Sequence, residues 1–187
     1  MRRGLHRILR RPLARFARNE TASLTVEVMI MLPVLLWAFA GTFIFFDMFR
    51  ENSVSEKAAY TVGDILSRET DAITPTYMDN TLTLFSTLSG IPSENIGLRV
   101  SVIRWDGDDE AYDLRWSQAR GDADPLAARD VRAWEDVLPI MVDDEQIILV
   151  ETFSRYTPFM DVGLGAMTLD TFVYTRPRFA PQLVWES

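Results

Sequence analysis

The sequence contains no cysteine and a single histidine, His6. The first absence removes disulfides, thiolate metal sites and cysteine nucleophiles together. The second leaves no histidine in the body of the chain for general-base catalysis or a multi-histidine metal site. There is no glycine-rich phosphate loop and, past the N-terminal arm, no basic stretch interleaved with aromatics. What is present is unevenly placed. Residues 1–20 carry Arg2, Arg3, Arg7, Arg10, Arg11, Arg15 and Arg18 against Glu20 alone, although the whole chain has a net charge of −8. A basic arm thus precedes an acidic body, and such a body repels phosphate, so nucleic acid is not expected as its partner. With 187 residues, 48% of them hydrophobic, the chain has room for one domain plus accessory segments, at roughly 100–200 residues per domain.

Val28 to Phe46, VMIMLPVLLWAFAGTFIFF, is 19 residues without a charge. At about 1.5 Å per residue, a helix of that length is roughly 28 Å long, close to the hydrocarbon core of a bilayer. A buried core helix would be apolar on every side only inside a larger protein. A cleaved secretory signal would need a small-x-small site. Ala38, Ala40 and Gly41 imitate one, but the aromatic run Phe43-Ile44-Phe45-Phe46 follows directly. The stretch therefore reads as a membrane helix, with Pro33 removing one backbone donor and placing a kink in its first half. Seven arginines before it and mixed charge after it keep the N-terminus cytoplasmic and export the rest. The arm meets anionic headgroups of the membrane lipid.

Glu27 lies at the cytoplasmic end of this stretch, within LTVEVMIML. A carboxylate there is costly, by up to about 2.5–3.5 kcal/mol at mid-bilayer and less near the interface, so it calls for a partner or a function. A plainer role is a cap near the positive end of the helix dipole. Its setting says more. Charged residues from Arg15 to Glu20 are followed by Ala22-Ser23, then Leu24-Thr25-Val26-Glu27, then a long apolar run with an early proline. This pattern resembles the N-terminus of type IV pilin-like proteins. More narrowly, residues 15–39, RFARNETASLTVEVMIMLPVLLWAF, are similar to the TadE-like group of tight-adherence pilus proteins. Residues 150–178, with their Tyr156-x-Pro158 step and closing Arg176, resemble that group's C-terminal pattern. The middle of the chain carries no such likeness. The resemblance implies cleavage by a prepilin peptidase between Ala22 and Ser23, which would make Glu27 the fifth mature residue. It also implies that Glu27 pairs with the new α-amino group of a neighbouring subunit in a dry helix bundle. The family usually has Gly before the cut where this chain has Ala22.

Past the membrane stretch, Ala58, Val62, Ile65 and Leu66 form a one-sided stripe, so one helix is predicted from about Ser23 to Arg68, half in the membrane and half laid on the exported domain. Thr74-Pro75 predicts an N-cap and first helical residue, with Met78, Leu82, Phe85 and Leu88 inward over 76–88. Alternation predicts a strand over Gly97–Trp105, a turn from Asp106-Gly107 and a partner over Tyr112–Trp116. Arg120–Asp124 reads as a polar loop. Pro125 opens a second helix with Leu126, Val131, Trp134 and Leu138 inward. Further strands fall at Gln146–Tyr156 and Leu169–Arg176. The expected fold is α+β: a long hydrophobic N-terminal helix packed on a small, mostly antiparallel sheet, a pilin-like layout. Three parts follow: a basic cytoplasmic leader over 1–22, the membrane helix with its amphipathic extension over 23–68, and an exported periplasmic domain over 69–187.

The acidic runs Asp106–Glu110 and Asp143–Glu145 read as solvated turns rather than calcium loops, because the first lacks the ligand spacing of an EF-hand. Arg120-Gly121-Asp122 spells an adhesion tripeptide, which three residues do not establish. Trp105, Trp116 and Trp134 read as core, and Trp185 as core or as an exposed anchor for a partner. No cofactor, metal or catalytic set is expected. The expected protein is a minor pilin or pseudopilin of a tight-adherence pilus, in the inner membrane and drawn from there into an extracellular pilus. Its partners would be other pilin-like subunits, the prepilin peptidase and the inner-membrane assembly platform. The alternative is an uncleaved single-pass envelope protein whose periplasmic domain binds a secretion or envelope partner; an exported hydrolase ranks third.

Overall fold

The computed structural model describes residues 20–132, 134 and 137–186, with side chains from Leu24. The basic arm therefore lies, up to residue 19, outside the described residues. Helix α1, Glu20–Arg68, is 49 residues long, or roughly 74 Å at 1.5 Å per residue. It runs through Pro33 without interruption. Two compact units are built on it. One comprises the helix through Phe46 with Phe159–Gly163; the other comprises Asp47–Pro158 and the chain from Leu164.

In the second unit, α2 (Pro75–Ser89) starts and stops where its sequence says. Thr74 Oγ1 accepts the Tyr77 N–H at 3.2 Å, and Pro75 fills the first position, where a missing N–H costs nothing. Gly90, at φ 74°, closes the helix by donating to the Ser86 carbonyl at 2.9 Å. Four strands follow: β1 (Ile96–Asp106), β2 (Ala111–Gly121), β3 (Gln146–Tyr156) and β4 (Met167–Thr175). They form one antiparallel sheet in the order β2-β1-β3-β4. The strand β2 is longer than alternation suggested: it continues to Gly121, because Leu98 to Gly97 of β1 pair with Arg120 and Gly121. At Gly121 only glycine fits. Its φ is +67°, and a Cβ there would overlap the Ile96 carbonyl oxygen.

Both sheet faces are buried. Ala58, Ala59, Val62 and Leu66 of α1 join Met78 and Phe85 of α2 over Leu98, Val100, Val102, Ile148, Val150 and Val173. Within the predicted helical stripes Ile65 and Leu88 instead face solvent, at 39% and 41% exposure. On α1 the turn that packs runs 58, 59, 62, 66, which leaves 65 to one side. The second face holds Ile103, Tyr112, Ile147 and Leu149 under Val131, Leu138 and Met141, with Leu126 and Trp134 at its edge. The residues predicted inward between Leu126 and Leu138 are thus the ones that pack. Among the described residues of this segment, however, the backbone is helical only over α3, Ala128–Val131. Beyond it, the Trp134 N–H donates to the Val131 carbonyl and the Leu138 N–H to the Trp134 carbonyl, at 3.1 and 3.0 Å. The segment must span a sheet face with its anchors, and a helix this short has little stability of its own to resist that.

The C-terminal tail is sewn to the chain between α1 and α2. Ile73 donates to the Val184 carbonyl and accepts from the Glu186 N–H, at 2.7 and 2.9 Å. Trp116 Nε1 donates to the Leu183 carbonyl at 2.8 Å. Trp185 sits half-buried with its ring centroid 5.9 Å from that of Trp116, so it serves the core and is not a free anchor.

Candidate functional site

From Leu24 to Phe39 every large apolar side chain on α1 is at least 46% exposed, and these side chains surround the helix. The helix is long and apolar enough to cross a membrane. An α-helix suits that surrounding because it satisfies each backbone group within the segment. The exception is made by Pro33, which has no N–H for the Met29 carbonyl one turn earlier. Farther along, Thr42 settles its own hydroxyl by donating to the Ala38 carbonyl at 2.9 Å.

Ala22 and Ser23 lie on the helical backbone of α1, so the expected processing point is within helix. Glu27 is exposed, without an ion-pair or hydrogen-bond partner among the described residues. Leu24, Ile30 and Met31 are its neighbours on the helix surface, at i−3, i+3 and i+4. The helix is already formed at Glu20, which puts Glu27 about two turns inside it. Dipole stabilisation fades beyond the first turn, so capping accounts poorly for this carboxylate.

A feature of the same unit was not foreseen. Phe159–Gly163, the tip of the connection between β3 and β4, belongs with the apolar part of α1. Phe159 meets Phe43 edge to face, ring centroids 5.5 Å apart. The tip and helix residues Leu36, Trp37, Phe39, Ala40 and Phe43 line an open apolar groove. The signal was legible: TPFMDVGLGA, residues 157–166, has one charge, Asp161, whereas surface connections are usually polar.

The remaining polar groups are largely occupied. The acidic runs, far apart in sequence, converge on Arg104, whose guanidinium donates to Asp106, Asp113 and Asp144 at 2.6, 3.2 and 2.8 Å. Asp143 accepts the Gly107 N–H at 2.8 Å, tying the two turns together. Those carboxylates hold the Arg104 charge firmly, pushing its pKa above the ordinary arginine value. In the tripeptide, Arg120 is held by Asp79 and by the Pro75 carbonyl, and Asp122 accepts from Arg155. Between sheet and helix, the Tyr156 hydroxyl donates to Asp47 at 3.2 Å. Burial pushes the Tyr156 hydroxyl up, aided by Asp47 and Glu51. Burial likewise raises the Glu51 carboxyl, with Asp47 adding to the rise and Arg50 opposing it. No group of three or more Asp, Glu or His that could hold a metal occurs among the described residues.

Comparison with protein-family models, with curated proteins and with solved structures finds no match to this chain. The functional reading therefore rests on the helix surface, on Glu27 and on the tip beside Phe43.

Proposed function

We propose that the protein is a minor pilin or pseudopilin of the TadE-like, tight-adherence kind. It is inserted in the inner membrane with its N-terminus cytoplasmic and its sheet domain periplasmic. A prepilin peptidase frees Ser23, and the apolar part of α1 then joins the helices of other pilin-like subunits on the assembly platform. The observation that carries this reading is a continuous helix with two different surfaces. From Leu24 to Phe46 it is apolar apart from Thr25, Glu27 and Thr42, and Glu27 has no ion-pair or hydrogen-bond partner among the described residues; its second half is packed on a four-stranded antiparallel sheet. A lone carboxylate at the start of an apolar helix is expensive to keep unpaired in lipid. An α-amino group on the adjoining subunit would neutralise it and would fix the axial offset between neighbours. The protein performs no chemistry in this account.

N-terminal sequencing of the protein recovered from membranes tests the reading: the expected first residue is Ser23. Glu27→Ala is expected to leave insertion intact and to abolish incorporation into filaments. An intact arm, together with a silent Glu27→Ala, would refute the proposal. It would favour the uncleaved envelope anchor, the reading to which Ala22 in place of the usual Gly lends its weight.

A further inference from the structure

The geometry points to a second lipid-binding element: the tip Phe159–Gly163 enters the bilayer beside α1, and an acyl chain of the surrounding lipid occupies the groove between them. This rests on α1 as a membrane span and not on pilus assembly. The helix side of the groove runs from Leu36 to Phe43. These residues lie roughly 5–15 Å inside the end of the uncharged stretch at Phe46, at 1.5 Å per residue. A segment touching Phe43 is therefore at acyl-chain depth and not in water. The composition of the tip agrees. Phe159 and Met160 are 63% and 49% exposed, a poor choice for water and a good one for hydrocarbon.

The single charge of the tip is handled locally. Asp161 Oδ1 accepts the Gly163 N–H at 2.9 Å, so one carboxylate oxygen keeps a donor when the tip leaves water. Gly163 has φ +97°, a conformation that lets the chain turn back sharply and that side chains disfavour. The groove is continuous with the lipid-facing surface of α1: Trp37 and Phe39 line it while remaining 63% and 70% exposed. Lipid that surrounds the helix thus reaches the groove without any displacement of protein.

The chain has no cysteine, so one introduced cysteine gives one spin-label site. Full-length Met160→Cys, labelled in phosphatidylcholine vesicles, is read by collision with oxygen and with a water-soluble nickel chelate. Leu35→Cys on α1 and Asp109→Cys in the turn between β1 and β2 are the references. The label at 160 is expected to favour oxygen, as at 35, at a depth of roughly 5–10 Å below the headgroup boundary. A label at 160 that favours nickel while 35 favours oxygen overturns this inference and leaves the span standing. Nickel accessibility at both positions overturns the two together. Shielding of 160 from both probes, with 35 in lipid, also overturns it, since protein such as a second copy's helix then fills the groove. Val162→Cys repeats the reading should Met160→Cys fail to insert.

Discussion

Removing the carboxylate of Glu151 should cost far more than removing the whole ion pair to which it belongs. Glu151 is 6% exposed on β3, where it faces Arg99 of β1 across the sheet and Phe172 of β4 on its other side. Arg99 grips it with two bonds of 2.7 Å, Nε to Oε2 and Nη2 to Oε1. The same guanidinium donates to the Asp124 carbonyl at 3.0 Å and lies 5.1 Å from the ring centre of Phe153. Glu151→Leu leaves a largely buried cation without its counter-charge, a loss of about 3–5 kcal/mol. Arg99→Met leaves the carboxylate stranded at a similar cost. The double variant Arg99→Met/Glu151→Leu strands neither group and should return to wild-type stability, or exceed it by about 1–4 kcal/mol. Denaturant unfolding of the full chain in detergent micelles, followed by near-ultraviolet circular dichroism, gives the three values. The singles should stay costly in 1 M salt, where exposed pairs such as Arg155–Asp122 are screened out. A double variant that loses the sum of the two single losses would show no coupling, and the account of this face of the sheet would be wrong.

Three further outcomes are expected in the same unit. Gly121→Ala should destabilise by about 1–3 kcal/mol from its left-handed backbone alone, with the clash at Ile96 adding to that; thermal unfolding reads the loss. Thr152→Val keeps the shape of a buried side chain whose hydroxyl has no partner among the described residues. It should be neutral or stabilising by about 1 kcal/mol in denaturant melts, and a clear loss would reveal a hidden partner. Burial pushes the Tyr77 hydroxyl up to about 12, with Glu69 adding to the rise. A raised folded pKa contributes stability that is full below the ordinary tyrosine value near 10 and is lost as pH climbs through 12. Tyr77→Phe should therefore flatten the fall in stability across that alkaline window, measured by unfolding at stepped pH.

Much of the fold was legible where a local rule and the tertiary packing agree. The Thr74-Pro75 start and Gly90 stop of α2 are set by capping chemistry within a few residues. The strand β3 fell where predicted because a continuous apolar run bounded by a charged turn has few other readings. The segment from Pro125 misled for the opposite reason. Its apolar spacing is real, and its anchors do pack, yet the demands of a sheet face outweigh a weak helical preference. Nothing local marked Arg99 on β1 for a buried ion pair. That a covering layer buries this face too, and that Glu151 stands opposite, depends on strand order. Of the candidate site, Glu27 was conspicuous as one charge in an apolar setting. Phe159 and Met160 passed unremarked because their position beside Phe43 joins residues more than a hundred positions apart.

Local chemistry along the chain sets the long helix, the acid embedded in its apolar stretch, the caps and the existence of the strands. These follow from hydrophobicity, charge and backbone chemistry acting over a few turns. Tertiary structure alone decided the order β2-β1-β3-β4, the gathering of two acidic runs around Arg104 and the seating of an apolar loop tip against the helix. Each of these joins residues far apart along the chain, and the packing of whole surfaces, which no local preference encodes, selects among the arrangements.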